Sequence, residues 1–359
     1  MKKSQQALLF LLSVLFTANT YASDTARVLF IGNSYTAVNN LPQLLTTLAA
    51  SAGDVVITDA NIPGGTTLKN HSTNPTTLSK IALGTWDYVV LQEQSQIPSF
   101  PDAQVDMDMY PYAKILDSLI RKANICTETV FYMTWGRKNG DASNCTFFPP
   151  VCTYSGMDSL LRLRYQTLAD TNDAILSPVG AVWRKLRNTN PTINLYDADE
   201  SHPSLAGSYA AACAFYATLF SKNPTTITAN AGLPPADAAA IRAAAKAVVY
   251  DSLQYWKIGT YTFPIWCAGT TTVADHNTLP TDIKTYIQGN TLHLTTTTPL
   301  APGTHIALIN TQGKTIATHP TTNPAQRFTL PLPHVASGIY FISITTATGQ
   351  RVVKKIFLP

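Results

Sequence analysis

The sequence predicts an α/β protein in two parts: a parallel sheet covered by helices on both faces, then a small antiparallel β-sandwich at the C-terminus. Three observations carry this. Short apolar runs alternate with longer amphipathic segments up to about residue 222, the pattern of β-strands joined by crossover helices. The runs themselves, such as Val28-Leu29-Phe30-Ile31, are apolar throughout, as strands buried on both faces must be. After residue 257 the texture changes to short strand-like stretches separated by turn signals.

Taken in order, the strands are expected at Ala26 to Ile31, Val55 to Asn61, Tyr88 to Gln92, Thr129 to Thr134 and Ile193 to Tyr196, each rich in β-branched or aromatic residues. Helices are expected at Leu41 to Ala52, Tyr110 to Ala123, Gly156 to Ala174, Val179 to Arg187 and Ser204 to Phe220. The first is entered through Asn39-Asn40-Leu41-Pro42, with proline in the opening turn. An Ala-rich helix from about Ala236 to Trp256 packs its apolar face back on the domain. Residues 259–282 read as a linker. Beyond them strands are expected at Thr291 to Leu294, His305 to Asn310, Arg327 to Leu330, Ile339 to Thr345 and Arg351 to Phe357, punctuated by Ala301-Pro302-Gly303 and Thr311-Gln312-Gly313-Lys314.

With 359 residues, 45% apolar and 13% charged, the chain can bury one large core and a smaller one. A net charge of +4, without Lys/Arg clusters interleaved with aromatics, argues against a nucleic-acid partner. Lys2 and Lys3, the apolar run Ala7 to Phe16 and Thr20-Tyr21-Ala22 compose a secretory signal peptide, residues 1–22, cleaved near Ala22; the run is short for a membrane anchor. Export permits disulfides. Of five cysteines, Cys145 and Cys152 bracket a Pro-containing loop and are placed for a local bridge, while Cys213 sits in an apolar helix and is expected to be buried and inert. No cysteine pair has metal-ligand spacing, and neither metal nor cofactor is expected.

Chemistry gathers where the predicted strands end, the edge at which open parallel sheets bind ligands. The first strand delivers Ser34. Alone, such a serine is more often a turn residue or helix N-cap. The second is followed by Gly64-Gly65, where backbone N–H groups can approach a ligand; the third by Gln92-Glu93-Gln94-Ser95; the fifth by Asp197 to His202. A serine hydroxyl attacks an acyl carbonyl only when an imidazole takes its proton, and the imidazole needs a carboxylate to fix its tautomer. Asp199 and His202, three apart on a tight turn, suit those roles, with Asp197 as the competing carboxylate. The N–H of Ser34, the N–H of Gly65 and the Gln92 amide are candidate donors to the developing oxyanion, each worth about 2.7–4 kcal/mol.

These blocks resemble the SGNH, or GDSL-type, hydrolase superfamily over residues 26 to 220: Gly32-Asn33-Ser34-Tyr35-Thr36 for the nucleophile, Gly65 for the glycine block, Asp199-Glu200-Ser201-His202 for Asp-x-x-His. The resemblance implies a flavodoxin-like three-layer α/β/α sandwich, a Ser/His/Asp triad of Ser34, His202 and Asp199, no metal, and esterase or deacetylase activity. Two departures stand out. Asn33 replaces the usual aspartate, and where the family has Gly-x-Asn-Asp this chain has Val89 to Ser95. Gln92 is the candidate there, as in some carbohydrate-acetylesterase branches, with Gln94 as runner-up because a shift of two keeps the same strand face. The segment also resembles a bacterial subgroup marked by Gln-Glu-Gln-Ser and Thr134-Trp135-Gly136-Arg137.

Trp135 and Arg137 are candidates to line a sugar-binding cleft, with a structural tryptophan the competing reading. His71, after the glycine loop, is a substrate contact or incidental. The tail, Ser337 to Ile344 and Gly349 to Lys355, resembles the sorting domain of type IX secretion cargo, which implies the secretion machinery as a partner and a secreted or cell-surface protein; a generic carbohydrate-binding or spacer sandwich is the alternative. The sequence thus reads as a secreted serine esterase acting on an acylated, most simply acetylated, carbohydrate. A non-catalytic glycan-binding protein and a lipase or thioesterase on the same fold compete with it.

Overall fold

The computed structural model describes residues 24–259, 283–311, 313–332, 335–346 and 351–358. The expected signal peptide and nearly all of the expected linker lie outside these residues.

Five parallel strands form the first sheet, β1 (Thr25–Ile31), β2 (Val55–Asn61), β3 (Tyr88–Leu91), β4 (Glu128–Tyr132) and β5 (Ile175–Ser177), in the order β2-β1-β3-β4-β5. That is the flavodoxin-like order, which reverses direction between β1 and β3 and opens a crevice beyond their carboxyl ends. Helices flank it: α1 (Ser34–Ala37), α2 (Leu41–Ser51), α3 (Leu68–His71), α4 (Pro75–Ala82), α5 (Asp102–Asp108), α6 (Tyr110–Ala123), α7 (Tyr154–Thr171), α8 (Val179–Thr189), α9 (Leu205–Phe220) and α10 (Pro235–Val248). α2, α8, α9 and α10 pack on one another, and α3, α4 and α5 gather on α6. α9 is apolar on every side, and residues 206–219 are all buried. Its Gly207 lies so close to Leu195 that a Cβ would stand 2.3 Å from that carbonyl oxygen.

The fifth strand departs from expectation. Ile193 to Tyr196 does not join the sheet; Tyr196 makes only an isolated bridge to Pro203. Ile175–Ser177 pairs with β4 instead. Three residues between two long helices give little periodicity to read, and the apolar run at Ile193 to Tyr196 finds its burial under α9 and Trp183 rather than in a ladder. The last helix is also shorter: it ends at Val248, and Tyr250–Trp256 is a 3₁₀ segment.

The C-terminal part has two antiparallel sheets. One is β6 (Ile283–Gln288), β7 (Thr291–Leu300) and β10 (Ala325–Pro331), ordered β10-β7-β6; the other is β8 (His305–Asn310), β9 (Thr315–Pro320), β11 (Gly338–Thr345) and β12 (Arg351–Leu358), ordered β12-β11-β8-β9. Alternate residues such as Leu292, Leu294, Ile306, Leu308, Ile342 and Ile344 face a separate core, as a sandwich requires. β6 and β9 were not anticipated; β9 presents mostly exposed and half-buried residues and lacks an apolar signature.

Candidate active site

β1 ends at Ile31, and the next three residues are held from several directions. A Cβ on Gly32 would lie 2.6 Å from the Gln92 Oε1 and 3.0 Å from the Thr36 Oγ1, so only glycine fits. Asn33 caps α1, its Oδ1 accepting the N–H of Tyr35 at 3.2 Å. Ser34 is therefore the first residue of a helical turn rather than a loop residue, and its N–H has no partner within that turn.

His202 arrives from the turn before α9. Asp199 Oδ1 accepts the N–H groups of Ser201 at 3.0 Å and His202 at 2.8 Å, which folds the turn; its Oδ2 is 2.5 Å from His202 Nδ1. Glu200 takes a left-handed conformation, φ 60°, to make the reversal. His202 Nε2 lies 2.8 Å from Ser34 Oγ. Ser34, His202 and Asp199 thus form one hydrogen-bonded line, across 168 residues of chain between the first two. Burial opposes the charge on Asp199, but the bonds from the His202 ring and the two N–H groups outweigh it and hold the carboxyl below its usual range. Asp197 does not share this contact; its Oδ1 accepts the N–H of Ala198.

Around this line opens a cleft of about 430 Å³ lined by Asn33, Gly65, Gln94, Ser95, Arg137 and Ser201, among others. Gly65 has φ +70°, a conformation that disfavours any side chain, and the turn it makes leads into α3, capped by Thr67. The Asn33 Nδ2 donates to the Thr66 carbonyl at 3.0 Å and ties this turn to the serine.

Gln92 stands behind the cleft. It is fully buried; Nε2 donates to Asn33 Oδ1 at 2.9 Å and to the Glu93 carbonyl at 2.6 Å, while Oε1 accepts from the Asn33 N–H and the Thr36 hydroxyl, each at 2.9 Å. Neither of its N–H bonds is left for an oxyanion. Gln94 lines the cleft instead: its Oε1 accepts the N–H groups of Gln96 at 2.7 Å and Ile97 at 3.3 Å, and its Nε2 has only the longer contacts, to Gln96 Oε1 at 3.3 Å and Ser95 Oγ at 3.5 Å, against 2.6 and 2.9 Å for Gln92.

Trp135 also departs from the sugar-contact reading. It is fully buried, stacked between Tyr35 at 4.8 Å and Trp183 at 3.7 Å, and its Nε1 donates to the Ser201 carbonyl at 3.1 Å. Tyr35 in turn packs edge-on against His202 and hydrogen-bonds Ser201 Oγ at 2.6 Å. Arg137 does line the cleft, braced by buried Asp141 at 3.3 Å, and its Nε has no partner among the described residues. His71 proves neither substrate contact nor incidental: fully buried, it donates from Nε2 to the Gly32 carbonyl and accepts from Thr77 Oγ1, each at 2.8 Å. Burial holds its pKa down, which keeps the neutral ring those two bonds require. The Cys145–Cys152 bridge is formed, and Cys213 is buried and unbridged.

Fold and site together describe an α/β protein with a Ser–His–Asp line at the switch point of its sheet. Comparison with known proteins narrows this. Residues 287–358 match the model of the secretion system C-terminal sorting domain. A DUF4886 family protein from Bacteroides uniformis is similar in structure, with 20% identity, a TM-score of 0.55, and coverage of 65% of this chain and 96% of that one; the two share the fold. A protein named as a candidate SGNH hydrolase from Slackia heliotrinireducens is 28% identical, with a TM-score of 0.44 over 54% of this chain and 99% of its own. The acetyl xylan esterase AlAXEase is 16% identical, with a TM-score of 0.37 over 53% and 98%. No curated protein matches the chain in sequence.

Proposed function

We propose that this chain is an exported serine esterase of the SGNH type that removes short acyl groups, acetyl foremost, from a carbohydrate. The observation that carries the reading is the line Ser34 Oγ, His202 Nε2, His202 Nδ1, Asp199 Oδ2, with steps of 2.8 and 2.5 Å on either side of the ring.

In this reading Ser34 Oγ attacks the ester carbonyl carbon as His202 Nε2 takes its proton. Asp199 holds Nδ1–H, so Nε2 is the basic nitrogen, and its negative charge stabilises the imidazolium that forms. The oxyanion is met by the N–H groups of Ser34 and Gly65 and by the Gln94 side chain, which takes the role first expected of Gln92. The carbon–oxygen bond to the alcohol breaks as Nε2 returns the proton to it, leaving acyl-Ser34. Water then attacks the acyl carbon as Nε2 takes one of its protons, and the bond from that carbon to Ser34 Oγ breaks as the proton passes to Oγ, releasing the carboxylic acid, which ionises in solvent.

The cleft supports a short acyl group and a hydroxyl-rich alcohol. Among the described residues its lining is mostly polar, from Asn33, Gln94, Ser95, Arg137 and Ser201, which suits a short acyl group better than a long apolar chain. Arg137, whose side chain lines the cleft, is the candidate to contact the sugar. The match of residues 287–358 supports export by a type IX system, with that machinery as a partner and the cell surface or medium as destination. Acetate release from an acetylated polysaccharide, or hydrolysis of a short aryl acetate, tests the activity, with Ser34→Ala as the control. Activity surviving in that variant overturns the mechanism. A serine-directed phosphonate that leaves Ser34 unlabelled favours a glycan-binding protein instead.

A further inference from the structure

Glu93 has no part in the steps above, yet it joins both walls of the cleft. It is fully buried. Its Oε1 accepts the N–H of Gln94 at 2.6 Å and that of Leu68 at 3.1 Å, with Oε2 3.3 Å from the same Leu68 nitrogen. Leu68 opens α3, three residues past Gly65; Gln94 is the other candidate donor. One carboxyl oxygen therefore bonds the two main-chain segments that carry the oxyanion wall.

The surroundings do not favour a charge there. From α7 comes Tyr165, whose hydroxyl accepts the Glu93 N–H at 3.2 Å; from α5 comes Asp108, a like charge, and Lys69 of α3 is already paired with Asp108 at 3.2 Å. Two N–H donors without a cation do not repay the cost of burying an ionised carboxylate. Burial pushes Glu93 up to about 8.

We propose that Glu93 is a positioning residue that works as a neutral carboxyl: its carbonyl oxygen clamps the main chain of Gln94 to the head of α3, and its ionisation disables the oxyanion wall. The clamp needs only an acceptor, which the neutral acid supplies. The ionised form places an unpaired negative charge one residue from a group that must stabilise another negative charge, which weakens the transition state more than substrate binding. This rests on the esterase reading.

The test compares kcat and KM of the full chain with Glu93→Gln and Glu93→Leu on a short aryl acetate between about pH 6 and 10, with circular dichroism at each pH. Wild-type kcat should fall about tenfold per pH unit above the Glu93 pKa while KM holds. Glu93→Gln keeps the acceptor and cannot ionise, so it should match wild type at the acid end and lose that fall. Glu93→Leu should lower kcat at every pH by about 10²-fold, the order of a lost oxyanion donor. An alkaline fall that persists in Glu93→Gln overturns the proposal, as does a Glu93→Gln kcat already low at the acid end. Infrared spectra read the same residue without turnover: the wild-type spectrum minus that of Glu93→Gln, in which the Glu128 band common to both cancels, should show a protonated-carboxyl band at the acid end that is lost as pH rises through about 8. Its absence overturns the proposal; its presence in a chain that hydrolyses no ester overturns the esterase reading instead.

Discussion

Gln92 and Asn33 close on each other as a reciprocal pair: Gln92 Nε2 donates to Asn33 Oδ1, and Gln92 Oε1 accepts the Asn33 N–H, each at 2.9 Å. The pair clamps the carboxyl ends of β1 and β3 together at the switch point. An aspartate at 33 could take part in that pair and accept the Tyr35 N–H, but its carboxylate could not donate to the Thr66 carbonyl as the Asn33 Nδ2 does at 3.0 Å.

Substitutions at the two glutamines should therefore separate. Gln92→Ala leaves the buried Asn33 N–H and the Thr36 hydroxyl without the Gln92 acceptor and Asn33 Oδ1 with the Tyr35 N–H alone, and should cost about 1–3 kcal/mol of stability, read from the denaturation midpoint. Gln94→Ala should leave that midpoint unmoved and lower kcat by about 10²–10³-fold. The reverse pattern would return the donor role to Gln92.

Asp199→Asn offers an amide where Nδ1–H needs an acceptor, which favours the wrong tautomer of His202. We expect kcat to fall by about 10⁴-fold and phosphonate labelling of Ser34 to slow in step. Asp197→Asn should change neither, because Asp197 bonds only within its own turn. Steady-state kinetics on both variants decide between the two carboxylates.

Trp135→Ala should remove about 3–5 kcal/mol of stability, since it empties a fully packed site between Tyr35 and Trp183. Trp135→Phe keeps part of the stack and should retain KM for an acetylated sugar. A rise in KM without loss of stability would restore Trp135 as a substrate contact.

Glu128 gives the fold a pH dependence of its own. Burial pushes it up to about 8, against the opposing pull of Arg121, and its Oε2 is buried without a partner among the described residues. A carboxyl whose folded pKa is raised binds its proton more tightly in the folded chain, so its contribution is complete below the unfolded value of 4.5 and is lost as pH rises through about 8. Thermal midpoints of wild type should decline across that window, and Glu128→Gln should flatten part of the decline. Equal slopes for the two proteins would contradict this.

Much of the architecture was legible because its signals are local. The runs at Val28, Val89 and Val130 are apolar and β-branched enough to declare buried strands, the run at Val55 declares a half-exposed edge strand, and Gly32 and Gln92 stop the first and third strands of the sheet. β5 was not legible, since three residues between two helices carry no period of their own, whereas Ile193 to Tyr196 looks like a strand and is used as a buried loop. His71, Tyr35 and Glu93 were equally silent. Each acts through a partner that sequence spacing does not bring near, the Gly32 carbonyl, the Trp135 ring and the Leu68 N–H.

By itself the sequence determined that a serine, a glycine turn and an amide-rich segment would meet at one edge of a parallel sheet, because strand direction sends the ends of β1, β2 and β3 there; the Asp-x-x-His turn follows no strand of that sheet and is brought to the same edge by tertiary packing. Which amide faces the cleft was decided only by tertiary structure. Gln92 and Gln94 share a face if the strand runs on, but β3 stops at Leu91. Gln92 is then claimed by Asn33, 59 residues away in sequence, and the chain turns to present Gln94. Trp135 was settled in the same way: a ring able to meet a sugar in solvent had already been stacked between Tyr35 and Trp183, where burial and two aromatic faces stabilise it better than water can.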